Sequence, residues 1–134
     1  MTNARATWIE NFRFEAEATS HHAVVMDGDK HLASSPMELV LMALCGCTGY
    51  DVVSILKKKR EPLAGLEIRA EAERAETPPT VYTSIHLTYR FRGEISQKAA
   101  EDAVQLSKEK YCSVSAMLSK TAKITTAIEY DQKP

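Results

Sequence analysis

The chain has 134 residues, 44% hydrophobic and 26% charged, an ordinary globular composition that excludes an intrinsically disordered chain. Seventeen basic residues against eighteen acidic ones leave a formal charge of -1, so no basic excess favours nucleic acid as a partner. The N-terminus has no apolar run of the kind found in secretion signals, which predicts a cytoplasmic protein. The length suits one domain spanning residues 1–134.

The first thirty residues predict a three-stranded antiparallel unit. Residues 4–10 form one candidate strand, and apolar and polar residues alternate regularly over a second at 12–18. A third short strand over residues 22–26 ends at the turn signal Asp27-Gly28-Asp29. Arg13 points away from the apolar face of the second strand in this arrangement.

A long apolar segment over residues 35–60 predicts one long helix. Ser35 is suited to cap the first turn, Pro36 to the first helical position, and Glu38 to accept a hydrogen bond from the capping amide. Four basic residues at 57–60 complement the negative end of the helix dipole, and Pro62 prevents continuation. Apolar residues lie on most sides of the axis, so the helix must be covered on most sides.

Such a helix is also long enough to cross a bilayer. Glu38 and Asp51 within it count against that interpretation, as do the amphipathic strands elsewhere, which need an apolar surface to lie on. We therefore predict the central helix of a soluble protein, with no membrane partner. One sheet covers only one side of this helix, so we predict that a second copy covers the other side in an intertwined homodimer.

The second half predicts a hairpin, two helices and a last strand. Strict alternation indicates strands at residues 66–73 and 81–92, on either side of a Pro78-Pro79 break. Helices follow over residues 96–111 and about 113–120, with Tyr111 and Met117 facing inward, and then a strand over 124–130. Antiparallel strands with helices on one side predict the α+β class, with antiparallel sheets around a long central helix.

Three cysteines without a secretion signal predict free or redox-active thiols and argue against a disulfide framework. Cys45 and Cys47, with His21 and His22 nearby in sequence, raise the question of a metal site. Two residues apart on a helix means a rotation of about 200°, so the two sulfurs face opposite ways and cannot share one ion. We predict no metal and no cofactor.

Each cysteine has a packing interpretation beside a functional one, because cysteine in the middle of a helix commonly fills core space. Gly46 beside Cys47 costs about 1 kcal/mol relative to alanine in a helix, which indicates a close approach by another backbone or a ligand. Cys112 lies where one helix ends and Ser113 begins the next, and a helix N-terminus stabilises a thiolate. Asp51 lies on the same face as Cys47 and disfavours a thiolate there unless neutralised.

Two segments resemble the OsmC/Ohr proteins, the osmotically inducible and organic hydroperoxide resistance family. The segments are SPMELVLMALCGCTGYDVVSIL at residues 35–56 and YCSVSAML at residues 111–118. The order of elements over essentially the whole chain is similar too, as is the 65-residue separation of Cys47 and Cys112. The methionine after Pro36 is typical of the OsmC-like branch.

The resemblance implies an intertwined dimer with active sites at the subunit interface. It implies that Cys47 attacks an organic hydroperoxide or hydrogen peroxide and becomes a sulfenic acid, which Cys112 resolves as a disulfide. A dithiol such as a dihydrolipoyl group then reduces the disulfide, without a metal or a flavin. Cys45 has no counterpart with a role in the family, so core packing is its better interpretation.

The chain departs from the hydroperoxide reductases at two points. Met37 stands where they have a glutamate, and Glu38, one place later, is turned by about 100° and is better suited to capping. Arg13 is the nearest candidate for their arginine, and His22 is another group that could approach Cys47, although both are also ordinary strand residues. Two hypotheses therefore stand: a thiol-dependent peroxidase of oxidative-stress defence, or a non-catalytic protein that binds a small apolar ligand or partner at the dimer crevice.

Overall fold

The computed structural model describes residues 1–131 and has two compact units, Met1–Leu41 and the chain from Met42 onward. It contains two three-stranded sheets and one long helix, which confirms the predicted α+β class. Each unit is described by itself below. The single domain over residues 1–134 stays a prediction.

The first unit is an antiparallel sheet of three strands in the order β1-β2-β3. These are β1 (Ala4–Glu10), β2 (Arg13–Ala18) and β3 (Val24–Asp27), so the third begins two residues later than predicted. Asp27 is buried, and its carboxylate accepts the backbone N–H groups of Asp29 and Leu32 at 2.9 and 3.1 Å. This carboxylate closes the loop after β3.

The long helix α1 spans Pro36–Lys58, within two residues of the predicted bounds. The Ser35 N–H donates to Glu38 Oε1 at 2.9 Å, and the Glu38 N–H donates to Ser35 Oγ at 3.2 Å. This reciprocal pair satisfies two amides that the first helical turn leaves without a partner. The predicted capping role of Glu38 is confirmed.

Only one stripe of α1 is buried by this chain. Its members recur at every fourth residue: Leu44, Thr48, Val52 and Leu56. Among the described residues, α1 is the one helix long and apolar enough to cross a membrane, which is weak evidence because soluble core helices pass the same test. Outside this stripe, Met42 and Tyr50 are exposed and several other apolar side chains of α1 are only partly buried within one chain.

The second unit contains a sheet in the order β4-β5-β6. Strand β4 (Leu63–Arg74) and β5 (Tyr82–Gly93) form the predicted antiparallel hairpin. Strand β6 (Lys123–Asp131) pairs parallel to β5, which differs from the purely antiparallel sheets that we predicted. The helices between β5 and β6 supply the long crossover that a parallel pair requires. The central strand contributes the largest group of buried apolar side chains of any described element: Tyr82, Ile85, Leu87, Tyr89 and Phe91.

The crossover consists of α2 (Gln97–Leu106), a π-helical turn (Ser107–Tyr111) and α3 (Ser113–Leu118). The predicted helix over residues 96–111 therefore changes its winding at Ser107. A π turn rotates the residues after it away from the α-helical phase. Tyr111 is 50% exposed for this reason, contrary to the prediction, and Met117 of α3 is also largely exposed.

Candidate functional site

Three buried hydroxyl groups of the second unit and the half-buried Asp51 carboxylate form a chain of hydrogen bonds. Thr48 Oγ1 of α1 lies 2.7 Å from Tyr89 Oη of β5 and 2.7 Å from Ser107 Oγ at the start of the π turn. Ser107 Oγ in turn donates to Asp51 Oδ2 at 2.9 Å. Thr48, Tyr89 and Ser107 are each at most 1% exposed. The chain fastens α1 to both the central strand and the π turn.

The two thiols predicted to react lie beside this chain. Cys47 directly precedes Thr48 on α1 and is half-buried, whereas Cys112 follows the π turn and is 3% exposed. Cys47 lies close enough to Cys112 to act on the pKa of its thiol. Both are free thiols. The fold thus brings two thiols that are 65 residues apart in the sequence close together in space.

The thiol of Cys112 is held in its protonated form. Burial is the main cause that raises its pKa from 9.0 to about 11, and the neighbouring Cys47 sulfur and Asp51 carboxylate act in the same direction. The Ser115 N–H donates to Cys112 Sγ at 3.4 Å and opposes this, as a helix N-terminus does. The expectation that this position stabilises a Cys112 thiolate is therefore wrong, because one weak N–H contact does not offset burial.

Cys45 has a separate environment. It is half-buried and lines a shallow groove with Leu66 and Ile68 of β4, and burial raises its pKa. Cys47 lies near Cys112 and does not line this groove, which fits the predicted rotation between the two helical cysteines. Among residues 1–131, no group of three or more His, Cys, Asp or Glu side chains is placed to hold a metal ion.

Comparison with known proteins identifies the family. The family model for OsmC-like protein matches residues 27–127. The chain belongs to the OsmC-like family. Protein YhfA of Escherichia coli strain K12 is 44% identical over 128 residues, which cover 94% of this chain and 96% of YhfA.

Solved structures give the same result for the fold. A hypothetical protein from Aquifex aeolicus VF5 is 30% identical, with a TM-score of 0.86 and 98% of each chain covered. The organic hydroperoxide resistance protein OsmC from Legionella pneumophila has a TM-score of 0.73 over 96% of each chain. The latter is 16% identical, so it supports the shared OsmC-like fold alone.

The side chains that we considered as activators of Cys47 have other partners in this OsmC-like protein. Glu38 caps α1, and Arg13 pairs with Glu10 within the first unit. His22 is exposed, and its Nδ1 lies 3.1 Å from Ser20 Oγ. Asp51, predicted to share a face with Cys47, accepts the Ser107 hydroxyl, and its charge contributes to the raised pKa of Cys112.

Thr48, Tyr89 and Ser107 are the site residues that sequence reasoning missed. One signal for Thr48 was available, because a hydroxyl occupies a stripe otherwise formed by Leu44, Val52 and Leu56. A buried hydroxyl requires a hydrogen-bond partner. No comparable pattern marks Ser107, since the π turn that buries it is not visible in the sequence.

The raised pKa of Cys112 predicts a loss of stability at high pH. The folded protein holds the thiol proton more tightly than the unfolded chain, so this stabilisation is complete below about pH 9 and is lost as pH rises towards about 11. We expect the free energy of unfolding of the wild type to fall more steeply over this range than that of Cys112→Ser. Urea denaturation of both proteins from about pH 8 to about pH 11 measures this difference, and parallel curves would contradict it.

Proposed function

We propose that this OsmC-like protein is a cytoplasmic, thiol-dependent peroxidase for organic hydroperoxides or hydrogen peroxide. The observation that carries the proposal is the proximity of Cys47 and Cys112, which places a partly exposed thiol next to a buried one. A pair of this kind suits peroxide reduction, because the accessible thiol meets the oxidant and the second thiol traps the product. The resemblance of both cysteine segments to the OsmC/Ohr family supports the same assignment.

In the first step, the Cys47 thiolate attacks the terminal oxygen of the peroxide. A sulfur–oxygen bond forms, the oxygen–oxygen bond breaks, and an alcohol or water leaves after taking up a proton. Cys47 is then a sulfenic acid. The proton that the alcohol or water takes up comes from solvent, to which the Cys47 thiol released its own. The high pKa of Cys112 keeps the Cys112 proton in place for the second step.

In the second step, Cys112 attacks the sulfenic sulfur of Cys47. A disulfide forms and the hydroxyl group leaves as water with the proton of Cys112. A small dithiol, such as a dihydrolipoyl group, returns both cysteines to thiols by two exchange steps and is itself oxidised. Every atom and electron is supplied by the peroxide, the two cysteines and the dithiol.

We propose further that the active unit is an intertwined homodimer. The exposed side chains of α1 include Met42 at 48% and Tyr50 at 76%, and the first unit separately exposes Trp8 and Phe12 at more than 60%. A methyl group added at Gly46 would meet no atom within 4 Å, so the space beside this helical glycine is open within one chain. Exposed large apolar side chains such as those of α1 suit an interaction site, and a second copy would bury them against the same surface of its own α1.

The test is consumption of cumene hydroperoxide by the purified wild-type protein in the presence of dithiothreitol. We expect catalytic consumption with one dithiol oxidised per peroxide, and none above background when the dithiol is replaced by a non-thiol reductant. A protein that consumes no peroxide in several turnovers would contradict the peroxidase and favour a non-catalytic binding role.

A further inference from the structure

The hydroxyl chain has one possible direction when Asp51 is ionised. A carboxylate only accepts hydrogen bonds, so the single proton of Ser107 is committed to Asp51. Thr48 must then donate to Ser107, and Tyr89 must donate to Thr48, because each hydroxyl has one proton. Burial raises the pKa of Tyr89 to about 12, so its hydroxyl keeps the proton that it donates. The Asp51 carboxylate therefore fixes the direction in which all three buried hydroxyl groups donate their hydrogen bonds.

This ordered chain connects the two segments that carry the reactive cysteines. Thr48 is the residue after Cys47 on α1. Ser107 begins the π turn, and its carbonyl accepts the backbone N–H of Cys112 at 2.9 Å. The link from the Cys47 segment to the Cys112 backbone thus passes through one side-chain contact, Thr48 Oγ1 to Ser107 Oγ at 2.7 Å.

We propose that Asp51, Ser107, Thr48 and Tyr89 are positioning residues for the thiol pair, and that they hold Cys112 where it can join Cys47 in a disulfide. The hydrogen bonds of these residues hold α1, which carries Cys47, against the π turn that precedes Cys112. They thereby set the positions of the two sulfurs. The inference rests on the proposed function, because it concerns the resolving step. It makes a claim of its own, that closure of the Cys47–Cys112 disulfide depends on the hydroxyl of Thr48 and the charge of Asp51.

The π turn explains why such a network is needed. Turns of this kind are short departures from α-helical winding and occur frequently at functional sites. Here the turn separates α2 from Cys112, and the helix after Cys112 has only six residues. The buried Ser107 side chain is the contact that fixes the beginning of the turn against α1. Loss of that contact leaves the Cys112 segment less restrained relative to Cys47.

The experiment measures disulfide closure without peroxide, in a Cys45→Ser background. Cys47 is first converted to a mixed disulfide with glutathione. Cys112 then attacks the Cys47 sulfur, the new disulfide forms, and glutathione leaves with the proton. The rate of closure and the equilibrium with added glutathione are followed by acid quenching and mass spectrometry.

Thr48→Val removes the hydroxyl at nearly constant shape, and we expect it to slow closure and to lower the closed fraction by about tenfold or more. Thr48→Ser restores the hydroxyl and should recover most of both quantities. Asp51→Asn keeps an acceptor but removes the charge, and we expect about a fivefold loss. Ser54→Ala, on the same helix, is the control that should match the wild type.

Equal closure by Thr48→Val and Thr48→Ser would overturn the inference. If Thr48→Val does not fold, the Asp51→Asn variant decides instead. An Asp51→Asn variant that closes the disulfide at the wild-type rate and to the wild-type extent would also overturn the inference. A wild type that never closes the disulfide defeats both the inference and the resolving step of the proposed function. If closure depends on Thr48 and Asp51 but the protein consumes no peroxide, the inference is supported. Only the proposed peroxidase activity is then contradicted.

Discussion

The Cys47→Ser variant is expected to lose peroxide consumption almost completely, with the rate falling on the order of 10³-fold or more to the background of the dithiol. A serine hydroxyl at this position is a poor nucleophile without a neighbouring base, and no sulfenic acid can form on it. Cumene hydroperoxide consumption with dithiothreitol, followed for wild type and variant at equal concentrations, measures the loss.

Cys45→Ser is the matched control for this experiment. Cys45 lies two residues away on the same helix but lines the groove beside Leu66 and Ile68, and it is not among the groups that act on the pKa of Cys112. We expect this variant to retain nearly the wild-type rate. Equal turnover by wild type and Cys47→Ser would remove Cys47 from the mechanism and favour a binding function for the protein.

The Met42→Glu variant is expected to dissociate the proposed homodimer. Met42 of α1 is 48% exposed in one chain, where glutamate is a good helix former and such surface changes alter stability by about 0.5 kcal/mol or less. Against a second copy, the same carboxylate would be buried without a partner, which costs several kcal/mol of association free energy. A loss of that order is enough to shift the equilibrium towards the monomer. The substitution is therefore expected to leave the stability of a monomer nearly unchanged but to dissociate a dimer.

Analytical ultracentrifugation distinguishes the two outcomes. The wild type should sediment at twice the chain mass of 14.9 kDa, and Met42→Glu should shift towards the chain mass. Met42→Leu is the control, because it keeps an apolar side chain of similar volume and should remain dimeric. A wild type that sediments as a stable 14.9 kDa monomer refutes the intertwined dimer.

The features that could be predicted from the sequence are those governed by local chemistry. Ser35 and Glu38 cap the helix by hydrogen bonds across three residues, so their spacing alone predicted the contact that the structure contains. The hairpin of β4 and β5 followed from alternation, because each strand has one buried face. The rotation between Cys45 and Cys47 followed from helix geometry.

The features that could not be predicted depend on tertiary packing. The parallel pairing of β6 with β5 depends on the path of the whole crossover, and alternation is identical for both pairings. The high pKa of Cys112 arises from burial by residues distant in sequence, whereas its helix-terminal position alone suggested the opposite shift. The contacts of Thr48 with Tyr89 and Ser107 span 41 and 59 residues, so the hydroxyl in the apolar stripe of α1 does not by itself identify its partners.

Mass spectrometry after addition of one equivalent of cumene hydroperoxide to the fully reduced protein tests the central claim most directly. The account predicts a chain that has lost two hydrogen atoms and contains a peptide cross-link between Cys47 and Cys112, with Cys45 still free. A protein that keeps both thiols, or gains oxygen on Cys47 without any link to Cys112, would contradict it.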